Sequence, residues 1–119
     1  MDKLFWREAL ELLGFRVDVV NTGQEAVAAM AHTDYALVFM DCHMPELDGF
    51  EATKLIRAHE TGTACQRTPI LALTADALAG DRERCLAAGM DDYLSKPFTY
   101  AQVQSLVSRW LPQVVARAA

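Results

Sequence analysis

The 119-residue chain carries only three cysteines, four prolines and six glycines, and what it lacks excludes several classes of protein. Cys42, Cys65 and Cys85 form no CxxC pair, and an odd number argues against a disulfide framework. They read as reduced thiols of a cytoplasmic protein. His32, His43 and His59 sit in separate segments, and none has the spacing of a metal pair on one helix. Positive charge is scarce: 11 Lys and Arg face 16 Asp and Glu, for a net charge of −5. That balance leaves no broad basic surface for nucleic acid or an anionic membrane. No apolar run approaches the roughly 20 residues that span a bilayer. Met1-Asp2-Lys3 lacks the regions of a signal peptide. Neither GxGxxG nor GxxxxGK occurs, so dinucleotide and P-loop nucleotide binding have no support.

What is present suits one globular domain with one core: apolar residues make up 52% and charged residues 23%. Asp2 to Leu13 reads as a helix, with Phe5, Ala9, Leu12 and Leu13 at helical spacing and Gly14 at its end. Phe15 to Val20 reads as a strand, with Val17 and Val19 on one face. Thr22 and Glu25 have capping-box spacing and open a helix to about Met30. Tyr35 to Met40 is almost wholly apolar, as in a strand buried on both faces of a parallel sheet. Asp41 follows directly. Asp48 and Glu51 cap a third helix to about His59, with Phe50, Leu55 and Ile56 inward. Glu60 to Thr68 is a polar loop. Pro69 to Leu73 is a short strand followed by Thr74. Asp76 to Ala88 is a helix ended by Gly89, and Gly80 weakens it by about 1 kcal/mol relative to Ala. Asp92 to Leu94 is a brief strand, followed by Ser95-Lys96-Pro97. Thr99 and Gln102 cap the last helix, which buries Val103, Leu106, Val107 and Trp110 and ends near Pro112.

Strands alternate with helices, so the expected fold is α/β with a doubly wound parallel sheet. Asp41, Thr74 and Lys96 each follow a strand. In a parallel sheet the carboxyl ends of the strands share one edge, and ligands bind outside it. A carboxylate, a hydroxyl and an ammonium brought to one edge suit phosphoryl chemistry: the carboxylate is the nucleophile, and the other two contact the transferred oxygens. Each residue alone has a plainer reading. Asp41 can cap its loop, Thr74 can cap the next helix, and Lys96 can be a solvated surface charge.

Three motifs then carry a resemblance. Val38-Phe39-Met40-Asp41-Cys42-His43-Met44-Pro45-Glu46-Leu47-Asp48-Gly49 resembles the phosphoacceptor loop of response-regulator receiver domains. Thr74-Ala75 resembles the family's hydroxyl residue and the small residue after it. Tyr93-Leu94-Ser95-Lys96-Pro97-Phe98 resembles its lysine motif. Ala88-Gly89-Met90-Asp91-Asp92-Tyr93 is similar to receivers of hybrid histidine kinases and their phosphorelays. The order and spacing agree from the first helix onward. The resemblance implies a flavodoxin-like receiver fold over residues 1–112, with 113–119 as a C-terminal tail.

It also implies roles. Asp41 takes phosphate from a phosphohistidine on a histidine kinase or histidine phosphotransfer protein. Thr74 moves to bond one phosphoryl oxygen, and Lys96 pairs with another or with Asp41. Tyr93 is the aromatic switch that turns inward as Thr74 shifts. Pro97 follows a cis peptide. Mg2+ is the implied cofactor, with Asp41 and the main-chain carbonyl of His43 as ligands. Asp76 lies near the mouth of the site and tunes phosphate hydrolysis, or else serves as a first-turn acid favouring the helix dipole. The side chains of Cys42 and His43 are expected on the loop surface.

In one respect the sequence departs from the family pattern. The family begins with a strand ending in an acidic pair that binds magnesium, and Met1 falls near the start of the first helix, after that strand. Magnesium affinity is therefore expected to be weak, because the ion needs several oxygen ligands and carboxylate charge. The strand order 2-1-3-4-5 would lose a central member. The expected outcomes are closure of the flanking strands, a homodimer or strand-completing partner, or a longer parent protein. Two functions stand beside each other: a phosphorelay receiver acting at Asp41, and a receiver-like interaction module that is never phosphorylated. An aspartate-nucleophile phosphatase of the haloacid-dehalogenase type fits less well, because it wants a second Asp where His43 stands.

Overall fold

The computed structural model describes residues 3–42, 47–63, 67–74, 81–95 and 98–111, apart from the side chains of Lys3, Thr63, Asp81 and Arg82. Along the chain run α1 (Lys3–Leu12), α2 (Gly23–His32), β1 (Val38–Asp41), α3 (Gly49–Thr63), β2 (Ile70–Thr74), α4 (Asp81–Ala88), β3 (Asp92–Ser95) and α5 (Tyr100–Trp110). The architecture is α/β, with a parallel three-stranded sheet in the order β1-β2-β3. The chain divides into two compact units, Met1–Val19 with Pro97–Ala119, and Val20–Lys96.

The first unit holds α1 and α5. Trp6, Ala9 and Leu13 are buried along one stripe of α1. Leu12, expected inward, is 75% exposed; the stripe at positions 6, 9 and 13 follows the helical period and turns Leu12 outward. Trp6 meets Phe5 and Phe98 edge-on, with ring centroids 5.5 and 5.2 Å apart, an arrangement that aligns ring edges with ring faces. Gly14 ends the helix at φ +93°. Its N–H donates to Glu11 and that of Phe15 to Leu10, the paired bonds that satisfy the last carbonyls of a helix. In α5, Thr99 and Gln102 complete the expected capping box, and Val103, Leu106 and Val107 are buried.

The segment Phe15–Val20 corrects a sequence expectation. It is not a strand, although Phe15, Val17 and Val19 are half-buried and Arg16 and Asp18 exposed. A strand needs a neighbour for its ladder, and the described ladders join only β1, β2 and β3.

The second unit is built on those three strands. All five residues of β2 are buried, as befits a central strand covered on both faces. Around the sheet a core gathers Ala26, Met40, Phe50, Ile56, Ile70, Cys85 and Met90 among others, each large side chain there stabilising the fold by roughly 1.5–3 kcal/mol. Thr22 caps α2 through the Glu25 N–H at 3.1 Å, while the Glu25 carboxylate accepts from the Asn21 N–H. Asp48 accepts from the Glu51 N–H at 2.9 Å and opens α3 as expected. That helix runs to Thr63, four residues beyond the expected end, with Glu60 held by Arg57. Leu55, expected inward, is exposed, whereas Ala52 and Thr53 are fully buried. Helix α4 starts at Asp81 among the described residues; the expected first turn from Asp76, with Gly80, lies outside them.

At the amino ends of the strands an ion network closes the unit. Asp91 Oδ2 accepts from Arg57 Nη2 at 2.7 Å and from the Ile70 N–H at 2.9 Å. Its other oxygen accepts from Arg67. Arg57 also donates to Glu60 and to the carbonyls of Thr68 and Gly89. Each of the three nitrogens of this shielded guanidinium thereby meets an oxygen, as burial of an arginine requires.

Candidate functional site

Asp41 is the last residue of β1 and Thr74 the last of β2. Their strands are neighbours in parallel register, with Asp41 opposite Leu73 and Thr74 opposite Ser95. Thr74 therefore lies one residue beyond the partner of Asp41, and Lys96 one residue beyond the partner of Thr74. Adjacent strands lie about 4.8 Å apart, so the expected carboxylate and hydroxyl positions come to one edge of the sheet, where β3 also ends at Ser95. Asp41 is half-buried and Thr74 fully buried. Lys96 itself lies outside the described residues, as do His43, Ala75, Asp76 and Pro97. Tyr93 belongs to β3, is partly buried, and packs against the core of the second unit.

The backbone beneath Asp41 is pinned from two sides. The Cys42 N–H donates to Leu73 at 3.0 Å, continuing the β1–β2 ladder past Asp41. The Cys42 carbonyl accepts from the Gly49 N–H at 3.1 Å, which ties the start of α3 to the end of β1. Gly49 is required by contact: a Cβ there would overlap the Asp41 carbonyl oxygen. The Thr53 hydroxyl donates to the Gly49 carbonyl at 2.7 Å. The Asp-Gly pair singled out in sequence thus does two jobs, Asp48 capping α3 and Gly49 permitting close approach of α3 to the end of β1.

Cys42 departs from expectation. Its side chain is not on a loop surface but fully buried, with its sulfur 3.8 Å from that of Cys85 on α4. Alternation accounts for it: the ladder continues one bond past Asp41, from the Cys42 N–H to Leu73, and successive residues along a ladder send their side chains to opposite sides.

A model of the response regulator receiver domain matches residues 4–108. The chain belongs to this receiver family. It is 43% identical over 101 residues to the sensor protein GacS of Pseudomonas syringae pv. syringae, covering 85% of this chain and 11% of that protein. The receiver domain of the sensor histidine kinase PA1611 of Pseudomonas aeruginosa is 47% identical and superposes with a TM-score of 0.83, covering 93% of this chain and 88% of that one. The Saccharomyces cerevisiae Ssk1 receiver, solved with the histidine phosphotransfer protein Ypd1, is 30% identical with a TM-score of 0.86, covering 91% of this chain and 79% of that one. The receiver spans only 3% to 14% of the length of curated relatives such as GacS. Its fold is the flavodoxin-like receiver fold, and its family acts in two-component and phosphorelay signalling as a signalling domain. No helix among the described residues is long and apolar enough to cross a membrane.

Magnesium is the metal the family implies, and the PA1611 receiver coordinates it in its active-site cleft. Magnesium demands near-octahedral oxygen coordination supported by carboxylate charge. Among the described residues no group of three acidic, histidine or cysteine side chains could hold a metal ion. Asp41 supplies one carboxylate at the sheet edge, and the expected His43 carbonyl lies outside the described residues. The described donors by themselves do not make a magnesium site.

Proposed function

We propose that this receiver accepts a phosphoryl group on Asp41 from a phosphohistidine and thereby alters the face it presents to a partner. In the transfer an Asp41 carboxylate oxygen attacks phosphorus, the P–N bond to the donor imidazole breaks, and an acyl phosphate forms. The Thr74 hydroxyl donates to one phosphoryl oxygen and the Lys96 ammonium pairs with another, offsetting charge that grows there. Tyr93 follows Thr74 as the switch. Histidine kinases and histidine phosphotransfer proteins are the donors, in the cytoplasm. In the same reading Asp76 tunes hydrolysis of the phosphate, and Ala75 and Pro97 belong to the hydroxyl and lysine motifs.

The observation that supports it is the register: strands β1, β2 and β3 are parallel, and Asp41, Thr74 and the position before Lys96 end them side by side. Incubation with acetyl phosphate and magnesium, and separately with a phosphorylated histidine phosphotransfer protein, tests it by intact mass. The expected result is a gain of one phosphoryl group that Asp41→Asn abolishes. No gain from either donor would instead make the domain an interaction module that works without phosphorylation.

A further inference from the structure

Cys42 and Cys85 are separated by 43 residues in sequence yet meet in the core of the second unit with their sulfurs 3.8 Å apart. Both are buried, at 0% and 2% exposure. Neither takes part in the phosphoryl chemistry read at the sheet edge. Cys42 is the residue after Asp41, and its backbone carries both hydrogen bonds that hold the end of β1. Cys85 is on α4, the helix that follows Thr74 in the chain. The pair therefore links, through one sulfur contact, the strand end bearing Asp41 and the helix downstream of Thr74.

We propose that Cys42 and Cys85 form a redox-responsive modification site, joined by hydrogen peroxide into a reversible disulfide that ties the end of β1 to α4. One thiol gives up its proton, its sulfur attacks a peroxide oxygen, the O–O bond breaks, and a sulfenic acid forms while the departing hydroxide takes that proton as water. The second thiol attacks the sulfenic sulfur and expels the other oxygen as water, so two thiols and one peroxide give one disulfide and two waters. The sulfurs close from 3.8 Å to about 2.0 Å, the length of the bond, by movement of both side chains and of the backbone that carries them. A sulfenic acid formed on either residue has its resolving thiol as an immediate neighbour, which directs it to the disulfide.

Burial slows the first step but does not forbid it. Among the described side chains of α4, only Cys85 and Ala88 are buried. These two side chains, with the Arg84 guanidinium 4.2 Å over the Phe50 ring, bury little area for a two-turn helix, so local opening is the expected route for peroxide, which is scarcely larger than water. Once closed, the cross-link pulls the side chain adjacent to Asp41 toward α4. The Cys42 backbone is bonded to both Leu73 and Gly49, so a pull on it strains the joint at the end of β1 and shifts the carboxylate of the preceding residue from its reduced position. Displacements near 1 Å cost roughly a hundredfold in reactions that depend on alignment. A loss of about tenfold or more in the rate of phosphoryl uptake is therefore expected. This consequence rests on the reading of Asp41 as phosphoacceptor; the cross-link does not.

The test uses the full chain with Cys65→Ser, which leaves two thiols. After millimolar peroxide, digestion without reduction should yield the Cys42–Cys85 peptide pair, with the mass loss of two hydrogens reversed by dithiothreitol. Hydrogen exchange should slow in peptides covering the end of β1 and α4. Phosphoryl uptake from acetyl phosphate should fall and return on reduction, and Cys85→Ala should make uptake indifferent to peroxide. Absence of the cross-link while the urea-unfolded chain oxidises readily would overturn the proposal. So would a cross-link that changes neither hydrogen exchange nor uptake. A reduced chain that takes no phosphate at all would defeat the Asp41 reading alone, since the peptide pair and the exchange rates still decide this one.

Discussion

The α-carbon of Gly49 lies so close to the carbonyl of Asp41 that a methyl group at position 49 would occupy the same space as that oxygen. The first residue of α3 and the last residue of β1 thus form one rigid joint, completed by the bond from the Gly49 N–H to Cys42. Gly49→Ala is expected to destabilise the fold by about 1–3 kcal/mol, the usual range for forcing a methyl into packed backbone. It should also lower phosphoryl uptake more than stability alone explains. Urea midpoints and uptake rates on the same samples separate the two effects.

Thr74 is almost completely buried at the edge where Asp41 ends its strand. Thr74→Ala should keep the fold and cost about 1–2 kcal/mol, for a lost methyl and hydrogen bond. Phosphoryl uptake should fall about tenfold to a hundredfold, as one donor to the developing charge is removed. Thr74→Ser should restore most of that rate. Equal loss in both variants would separate the hydroxyl from the chemistry.

The Asp91 carboxylate is 13% exposed and faces Arg57, equally shielded, and Arg67, 57% exposed. Asp91→Ala leaves the shielded Arg57 with Glu60 as its one carboxylate partner among the described residues and the Ile70 N–H without its acceptor, and should cost about 1–3 kcal/mol. Arg67→Ala removes a mostly solvated partner and should cost under about 1 kcal/mol. Chemical denaturation in low and high salt checks the order: the Arg67 effect should shrink with salt, the Asp91 effect much less.

Thr99 accepts from the Gln102 N–H at 3.2 Å, and Gln102 accepts in return from the Thr99 N–H at 3.0 Å. Thr99→Ala should cost about 1 kcal/mol, and Thr99→Asp much less, because aspartate caps as well as threonine. Melting temperatures of the two variants provide the comparison.

Particular residues show how far the chain could be understood unfolded. The capping residues Thr22, Asp48 and Thr99 act where their spacing put them, because a cap is settled within four residues by the backbone donors it satisfies. The helix-ending Gly14 and Gly89 take positive φ for an equally local reason. Leu12 and Leu55 do not turn inward as their hydrophobicity suggested; only the direction of the neighbouring packing chooses which of two adjacent apolar residues is covered. The segment Phe15–Val20 has the alternation of a strand without its ladder, since alternation reports burial and not the presence of a partner. Among the candidate site residues, Asp41 and Thr74 end their strands and Tyr93 lies within β3, where their motifs put them. The thiol pair was not, because nothing in either local stretch signals the other.

The amino-acid order alone determined the alternation of helices and strands from α2 onward, the caps, and the acidic, hydroxyl and lysine motifs, all of which depend on neighbours a few positions away. Tertiary structure decided the rest. It set which strands pair and in what register, which leucines are covered, and that Cys42 turns into the core to meet Cys85. Those outcomes depend on surfaces supplied by residues tens of positions distant, and no local pattern of side chains encodes a distance across a folded core.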